Sequence, residues 1–415
     1  MPMGSLRVRA DSGQLLTILA LLAMGGPVLS DLYLASLPGI AVAFGVSATS
    51  VQLTLTAALA GVAVGQAVLG PLSDALGRRL PLVLGLGAAF AGSVAAALAP
   101  DLGALIAARF VQGFGVAAGL VLSRAIVADV VGGARRTGWL SIISVAAGVA
   151  ACAAPIVGGV LSTAVGWRGP MWAVAGFLAV AFVAALLLVP ETRNRSQGTT
   201  GREREVESAG VRSVPFLSYA LCLGFAFAAY MAFVAASPFL YQEVIGWTSL
   251  EYGFVYAGHA LLMAAASLIA GRLVGRITER VLLTVGIGCL VAAGCGSLAV
   301  AVLGGWVGLF PPCLALVSIG MGTTFPTTMG LALGHARHSA GLGSAILGCV
   351  QFGVAAAVAP LLGLGANAQI SFAVVLLAAA LLAAVALTSG VRAEVRLAAP
   401  LRSAAEVGPP ARQAV

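Results

Sequence analysis

The chain has 415 residues, of which 60% are hydrophobic and 9% are charged, and its formal net charge is +8. Ordinary soluble domains carry roughly 25% charged residues, so this composition excludes a water-soluble globular protein. Apolar runs of about 20 residues, each long enough to cross roughly 30 Å of hydrocarbon as a helix, recur along the whole sequence. The sequence therefore predicts a polytopic, all-α membrane protein.

Several other classes are excluded by pattern. The period-two alternation of an outer-membrane barrel is missing from runs such as residues 81–99. The arginines interrupt apolar segments instead of forming one basic stripe, so the positive charge does not indicate nucleic-acid binding. The cysteines have no paired metal-ligand spacing, and signatures of nucleotide, zinc-protease or serine-hydrolase chemistry are absent. We expect no enzyme activity, no metal and no cofactor.

The apolar spans form two groups of six. The first group lies within residues 1–189 and the second within residues 215–389. Residues 190–214 are rich in Arg, Glu, Ser and Gly and are predicted to be a cytoplasmic linker, and residues 390–415 are predicted to be a cytoplasmic tail. The predicted spans are residues 14–37, 50–70, 80–99, 103–127, 138–163, 170–189, 215–237, 252–271, 281–303, 307–329, 341–363 and 369–389.

The arginines predict the orientation of the spans. Nineteen of the 22 fall in the termini, in the linker or in the loops on the linker side. Short Arg-rich loops stay on the cytoplasmic side, so both termini and the linker are expected inside. Arg168 lies in a predicted outer loop, and Arg109 and Arg124 lie within the fourth span. We expect a monomer in the inner (plasma) membrane of a bacterium.

A polar turn between the second and third spans has a degenerate copy in the second half. The first copy reads Gly70-Pro-Leu-Ser-Asp-Ala-Leu-Gly-Arg-Arg79, and the second reads Gly271-Arg272-x2-Gly275-Arg276-x3-Arg280. Gly275 stands where the first copy has Asp74. Two halves of like topology match transporters that are built from parallel six-helix repeats around a central cavity.

Asp31 is the one acidic residue well inside a predicted span. An ionised carboxylate at a helix centre costs roughly 2.5–3.5 kcal/mol to insert, so it usually has a function; the alternative is a pair that fixes helix packing. Arg109 has a similar predicted depth, about 10 Å below the outer boundary, which permits contact. A nearby Arg109 would favour ionised Asp31, whereas burial favours the protonated acid. Such competition suits a proton carrier.

Three motifs resemble the major facilitator superfamily and, within it, the twelve-helix drug:proton antiporters of the Bcr/CflA type. Gly70 to Arg79 is similar to the superfamily loop signature G-x-L-x-D-x-x-G-R-R, and Leu105 to Gly115 is similar to its fourth-helix motif. Asp31 to Pro38 resembles the first-helix run D-x-Y-L-P-x-x-P, with Ala35 replacing its first proline.

The fifth-helix antiporter motif of this family is partly kept. Ala154 replaces the glycine that usually precedes its proline. Small residues of this kind let helices approach closely, so the motif is expected to pack helices. The retained members are Gly148, Pro155, Gly158 and Gly159.

The resemblance implies a proton-coupled antiporter that exports small amphipathic drugs, amphenicol-type antibiotics or several drugs, by alternating access. The expected partners are the substrate, protons and the lipid bilayer. In the family the loop cluster locks the inner side when the cavity faces outward. Its members here are Gly70, Asp74, Gly77, Arg78 and Asp129. One alternative is export of an endogenous sugar, nucleoside or amino-acid derivative; another is an uncoupled channel or a receptor.

An apolar cavity with a few polar groups suits a drug-like ligand, and nine residues are candidates for its lining. Each is alternatively a packing residue, and His259 is either a titrating group or a neutral, hydrogen-bonded one. Gln112 and Gly113 share a helical face with Arg109. The candidates are Tyr33, Gln66, Gln112, Gly113, Tyr230, Met231, Phe233, His259 and Gln351.

Overall fold

The computed structural model describes residues 12–193, 210–304, 307–336, 340–363 and 367–406. Twelve of its helical segments are long and apolar enough to span a membrane, which confirms the predicted number of spans. Residues 1–11, most of the predicted linker and the last nine residues of the predicted tail lie outside the described residues.

Six spans make up the first bundle. The first span is broken into three helices, and each of the other five spans is a single helix. The helices are α1 Ser12–Ala23, α2 Gly25–Asp31, α3 Leu37–Phe44, α4 Ala48–Leu76, α5 Arg79–Ala97, α6 Leu102–Val130, α7 Gly133–Val165 and α8 Arg168–Leu188.

The second bundle has one long helix for each span. A π-helical turn, Leu240–Val244, extends the first of these helices. The helices are α9 Val214–Phe239, α10 Ser249–Leu273, α11 Glu279–Leu303, α12 Phe310–His335, α13 Ala340–Val358 and α14 Ala368–Glu406. We call the end of the bundles where α4 and α6 finish the linker end, and the opposite end the far end.

Polar residues at the loop ends explain where several helices begin. The Asp101 side chain accepts a 2.8 Å hydrogen bond from the backbone N–H of Ala104. Thr248 and Glu251 form a reciprocal capping box at the start of α10. Such caps satisfy backbone donors that have no partner within the helix. Short polar stretches therefore separate the long apolar helices.

The first span is interrupted close to its acidic residue. α2 ends at Asp31, and a 3-10 turn over Leu34–Ser36 precedes α3. Pro38 lies in the first turn of α3, where a missing N–H is tolerated. The span therefore continues to Phe44 instead of ending at the predicted residue 37. Asp31 consequently lies near the middle of the segment Gly13–Phe44.

The last helix also exceeds its prediction. α14 runs to Glu406, so the predicted tail begins as a continuation of the twelfth span. Residues 390–406 are rich in Ala, Leu, Arg and Glu, which are strong helix formers in water as well. The apolar pattern ends near residue 389, but the helix does not need that pattern to continue.

Glycines allow the helices of the first bundle to pack backbone to backbone. A Cβ on Gly61 would overlap the carbonyl oxygen of Phe110, and one on Gly115 would overlap that of Gly85. These contacts hold α4 and α5 against α6. Close approach through small residues is the usual means of helix association in a bilayer.

The two bundles contact each other at the far end. The Gln52 side chain donates a 3.0 Å hydrogen bond to the Ala235 carbonyl oxygen, and Gln242 donates a 3.2 Å bond to that of Ala35. The turn Leu34–Ser36 touches both α9 and α10. The far end is therefore closed in this conformation.

Candidate functional site

Asp31 is buried at the break in the first span. Its side chain accepts a 2.6 Å hydrogen bond from the Ser30 hydroxyl, and only 9% of the residue is exposed. Among the described residues, the ion pairs lie at the linker end and none includes Asp31. The carboxyl group therefore has no cationic partner in the described part of the chain.

Arg109 lies beside the first span but on the other face from Asp31. Its Nη2 donates a 3.1 Å hydrogen bond to the Leu29 carbonyl oxygen, and its guanidinium lies 4.0 Å from the centre of the Tyr33 ring. Leu29 and Tyr33 are two residues before and after Asp31, and a step of two turns a helix by about 200°. The predicted similarity in depth is present, but the two groups do not form an ion pair.

A buried polar network holds Arg109 in this position. Its Nη1 donates a 2.5 Å hydrogen bond to Gln112 Oε1, and Gln112 Nε2 donates a 2.6 Å bond to Ser93 Oγ. The Tyr33 hydroxyl shares a 2.8 Å hydrogen bond with Thr54 Oγ1. Gln112 and Tyr33, both predicted to line a cavity, thus position the guanidinium in this conformation.

The other groups that interact with Asp31 belong to α7 and to the second bundle. The carboxyl group interacts electrostatically with Cys152 of α7 and with the phenols of Tyr230, Tyr252 and Tyr256. Tyr230 was a candidate from the sequence, and Tyr252 and Tyr256 were not. The spacing Tyr252-x3-Tyr256-x2-His259, which marks one helical face, is the signal that could have identified them.

Helix α7 packs tightly against both the first span and α10. A Cβ on Gly158 would overlap the carbonyl oxygen of Leu32, the residue after Asp31. On the other side, a Cβ on Gly253 of α10 would lie 2.6 Å from the Pro155 carbonyl oxygen. Gly159 also faces α10, since a Cβ there would lie 2.6 Å from the Ser249 carbonyl oxygen.

Gly148 does not share this packing role. A Cβ on Gly148 would meet no atom within 4 Å outside its own helix backbone. Gly148 therefore has no close neighbour in this conformation, in contrast to Gly158 and Gly159.

Aromatic rings of α9 and α10 form a wall on the second-bundle side. The Phe233 and Tyr256 rings are stacked with centroids 5.9 Å apart and planes 6° apart, and Tyr230 lies 5.9 Å from Phe233. His259 packs edge-on against Phe233 at 5.0 Å. We call Tyr230, Phe233 and Tyr256 the aromatic wall.

His259 is a hydrogen-bonded group behind this wall. Its Nε2 lies 2.9 Å from the Tyr241 hydroxyl, and its Nδ1 lies 3.1 Å from Ser318 Oγ. Both ring nitrogens are thus engaged, and they tie α10 to the turn after α9 and to α12. This geometry matches the alternative of a neutral, hydrogen-bonded histidine.

The remaining candidates for the cavity are in packed surroundings. A Cβ on Gly113 would overlap the Ala58 carbonyl oxygen, so this glycine serves helix contact and leaves no room for a ligand. The Gln66 side chain fills the space above Gly348. Met231 and Gln351 are 6% and 7% exposed.

The predicted loop cluster assembles at the linker end. Arg78 Nη1 lies 2.6 Å from Asp74 Oδ1, and Arg78 Nε lies 2.9 Å from Asp129 Oδ2. The Asp74 side chain is 65% exposed, whereas that of Asp129 is 22% exposed. Gly70 makes no tight contact. A Cβ on this glycine would lie 3.8 Å from its nearest neighbour, a methyl group of Val121.

Glu191, just after α8, completes the cluster and was missed by the sequence analysis. Its two carboxylate oxygens accept the backbone N–H groups of Arg78, at 2.8 Å, and Arg79, at 3.2 Å. Partial desolvation works to raise the pKa of Glu191, but the donated backbone N–H groups outweigh it and the pKa is lowered. Gly77 has φ +98°, and a Cβ there would overlap the Glu191 carboxylate.

The second bundle has a different cluster at its linker end. Arg280 pairs with Glu394 of α14, and His335 Nε2 lies 2.6 Å from the same carboxylate. The Tyr219 ring stacks on His335 with planes 18° apart. A carboxylate from the extended last helix therefore holds an arginine of the degenerate turn.

Two cavities lie away from Asp31. One of about 410 Å³ lies between α13 and α14 and is lined by aliphatic residues and Ser371. Another of about 90 Å³ lies at the far end between the bundles and includes Gln52 and Glu243. The first is part of the lipid-facing surface by its composition, and the second belongs to the closed interface.

Comparison with known proteins gives the family. A family model described as Major Facilitator Superfamily matches residues 15–360. The chain is 33% identical over 376 residues to an uncharacterized MFS-type transporter, YdgK, of Bacillus subtilis, covering 89% of this chain and 93% of that protein. It is 29% identical over 331 residues to a chloramphenicol resistance protein of Pseudomonas aeruginosa, and the match covers 77% of this chain and 76% of that protein.

Solved structures share the architecture at low identity. A bacterial homologue of the human lysosomal transporter Spinster superposes with a TM-score of 0.68 and 16% sequence identity. The match covers 94% of this chain and 98% of that one. The two chains therefore share their fold.

Proposed function

Because the chain belongs to the major facilitator superfamily, we propose that it is a proton-coupled antiporter that exports small amphipathic drugs, with amphenicol-type antibiotics as the first class to test. It is a multi-pass bacterial membrane transporter and not an enzyme. The similarity to a chloramphenicol resistance protein supports the choice of cargo. The linker end faces the cytoplasm in this proposal, because the arginines concentrate there.

The observation that carries proton coupling is the setting of Asp31. The carboxyl group is buried, has no cation partner in the described part of the chain and interacts electrostatically with Tyr230 of the other bundle. A charge without such a partner is costly in an apolar setting, so Asp31 exchanges its proton as its access to water changes. Arg109 is held on the opposite face by Gln112 and Leu29.

The aromatic wall supports an amphipathic cargo. Flat rings offer a large apolar contact area, and the Tyr230 and Tyr256 hydroxyls add polar groups at its edge. Phe233 and Tyr256 of the wall are buried in this conformation, so in this proposal the cargo reaches the wall when the bundles rearrange, and it then competes for the surroundings of Asp31. Proton and cargo therefore exclude each other, which is the condition for antiport.

Alternating access then converts the proton gradient into export. The contacts of Gln52 and Gln242 across the far end break when the cavity opens outward. Asp31 takes up a proton there as the cargo leaves, and it releases the proton at the linker end. One elementary charge crossing 100 mV is worth roughly 2.3 kcal/mol, enough for one proton to drive a useful drug gradient.

The proposal is tested by drug susceptibility in a bacterium that lacks its own efflux pumps. Expression of the chain is expected to raise the inhibitory concentration of chloramphenicol or of other amphipathic drugs on a panel, and Asp31→Asn is expected to remove the effect at equal membrane abundance. A panel on which both strains match the empty vector would overturn the drug assignment. Accumulation of labelled sugars, nucleosides and amino acids in the same cells checks metabolite export, since an exporter would lower the accumulation of its substrate relative to the empty vector.

A further inference from the structure

We propose that His259 is a positioning residue of the far-end closure: through the Tyr241 hydroxyl it holds the turn Leu240–Val244 so that Gln242 reaches the first bundle. The inference goes beyond the proposed function, because it gives His259 a role that requires alternating access but neither proton coupling through Asp31 nor a particular cargo. The role rests on hydrogen bonds and packing, and no change in the charge of His259 is needed.

Gln242 joins the two bundles with both ends of its side-chain amide. Its Nε2 donates a 3.2 Å hydrogen bond to the Ala35 carbonyl oxygen of the first span. Its Oε1 accepts a 2.8 Å hydrogen bond from the hydroxyl of Ser249, the first residue of α10. Because Ala35 belongs to the 3-10 turn that follows Asp31, Gln242 ties the broken part of the first span to the second bundle.

The turn that carries Gln242 has an uncommon backbone geometry. The Ile245 N–H donates a 3.0 Å hydrogen bond to the Leu240 carbonyl oxygen, five residues earlier, and the Trp247 N–H donates a 2.9 Å bond to that of Tyr241. π-helical turns of this kind are rare and often lie at functional sites. Consecutive side chains on a helical turn point in different directions, so Tyr241 meets His259 while Gln242 meets the first span.

Tyr241 fixes this turn to the interior of the second bundle. The residue is buried, and its ring stacks on Trp247 with centroids 5.1 Å apart and planes 17° apart. Its hydroxyl lies 2.9 Å from His259 Nε2 and shares a hydrogen bond with it. Because Tyr241 and Gln242 are consecutive residues, a displacement of Tyr241 also moves the backbone of Gln242.

His259 is itself held from two other sides. Its Nδ1 lies 3.1 Å from Ser318 Oγ of α12, and its ring packs edge-on against Phe233 of α9 with centroids 5.0 Å apart. A neutral imidazole has one donor and one acceptor nitrogen, and a hydroxyl can act as either, so both hydrogen bonds form in either tautomer. His259 therefore connects the turn to the packed helices of the second bundle.

Tyr252 supplies a contrast within the same helix as His259. Its residue is buried, its ring lies 6.0 Å from that of Tyr241, and its hydroxyl shares a 3.0 Å hydrogen bond with Ser237 Oγ. This bond also joins α10 to α9, but it includes no residue of the turn Leu240–Val244. Tyr252 and Tyr241 therefore differ in the one property that the inference requires.

The test follows far-end closure by hydrogen–deuterium exchange mass spectrometry of the full chain in detergent micelles. Exchange is measured at residues 34–44 of the first bundle and 240–248 of the second, with α5 as the reference. Tyr241→Phe keeps the stacked ring and removes the hydroxyl, so it is expected to raise exchange in both segments about fivefold, the effect of one lost hydrogen bond. Tyr252→Phe is the matched control and is expected to exchange like the wild type at residues 34–44.

Two variants of His259 separate positioning from simple packing. His259→Leu fills the space without bonding to the Tyr241 hydroxyl and is expected to raise exchange at residues 34–44 at least as much as Tyr241→Phe. His259→Gln carries an amide that can bond to this hydroxyl and is expected to restore protection. Equal exchange of the Leu and Gln variants would contradict the positioning role.

Gln242→Ala tests whether Tyr241 acts through Gln242. This variant alone is expected to raise exchange at residues 34–44, and adding Tyr241→Phe to it is expected to raise exchange there no further, because both changes act on one contact. Additive effects of the two changes, or equal exchange of Tyr241→Phe and Tyr252→Phe at residues 34–44, would overturn the inference. Neither result bears on the proposed antiport, which Asp31→Asn tests separately. Unchanged exchange in α5 checks that the variants are folded.

Discussion

The guanidinium of Arg109 lies 4.0 Å from the centre of the Tyr33 ring and so occupies the face of the first span that points away from Asp31. Arg109 therefore stabilises the broken helix that carries Asp31 without neutralising its charge. Because Arg109 does not neutralise Asp31, the carboxyl group can respond to protons, to the cargo and to the second bundle.

Arg109→Lys tests whether Arg109 stabilises the broken helix without acting on the charge of Asp31. Lysine keeps the charge but loses the planar stacking on Tyr33 and the forked bonds to Gln112 and Leu29, so the melting temperature in micelles and the transport rate are expected to fall. The pH midpoint of transport is expected to remain unchanged, since the charge does not act on Asp31 directly. A large shift of that midpoint, measured in vesicles over pH 5 to 9, would show an ion pair with Asp31 in the working cycle.

Gly158→Ala is expected to damage the protein, because the new Cβ would overlap the Leu32 carbonyl oxygen at the helix break. Overpacking costs about 1–3 kcal/mol, and we expect a lower melting temperature with at least a tenfold loss of transport. Gly148→Ala on the same helix is the control, because its Cβ enters open space. Equal behaviour of the two variants would contradict the assigned packing of α7.

Part of this site could be predicted from the sequence. The pairing of Arg78 with Asp129 agrees with the prediction that both belong to one cluster, because each lies at the same end of a predicted span, and the apolar runs located the spans. Glu191 contacts a turn more than a hundred residues earlier, which no local pattern encodes. The break after Asp31 was also missed, because hydropathy does not distinguish an unbroken helix from one with a 3-10 turn.

The linker-end cluster is expected to control the rate of switching. Asp129→Asn should slow transport more than Asp74→Asn, because the Asp129 partner of Arg78 is better shielded from water and exposed ion pairs contribute little. Drug affinity, measured by equilibrium binding in micelles, should remain near the wild-type value in both. A large loss of affinity in either variant would place the cluster in the binding site.

Glu191 is expected to make the stability of the linker end depend on pH. Its pKa is lowered in the folded chain, so its stabilising contribution is complete above the unfolded value near 4.5 and is lost as pH falls through the folded value. Glu191→Gln should therefore lower the melting temperature at pH 7 and converge with the wild type in acid, below the folded pKa. A constant difference across this range would show that the charge is not the cause.

The most direct test of the account is proton movement driven by cargo. Purified protein in liposomes without a membrane potential is given chloramphenicol or another drug that the susceptibility panel identifies, and external pH is followed. We predict that in the wild type protons cross the membrane in the direction opposite to the movement of the drug. Asp31→Asn, present in equal amount, is predicted to move no protons. Drug-driven proton flux that persists in Asp31→Asn would contradict the central claim that Asp31 carries the proton.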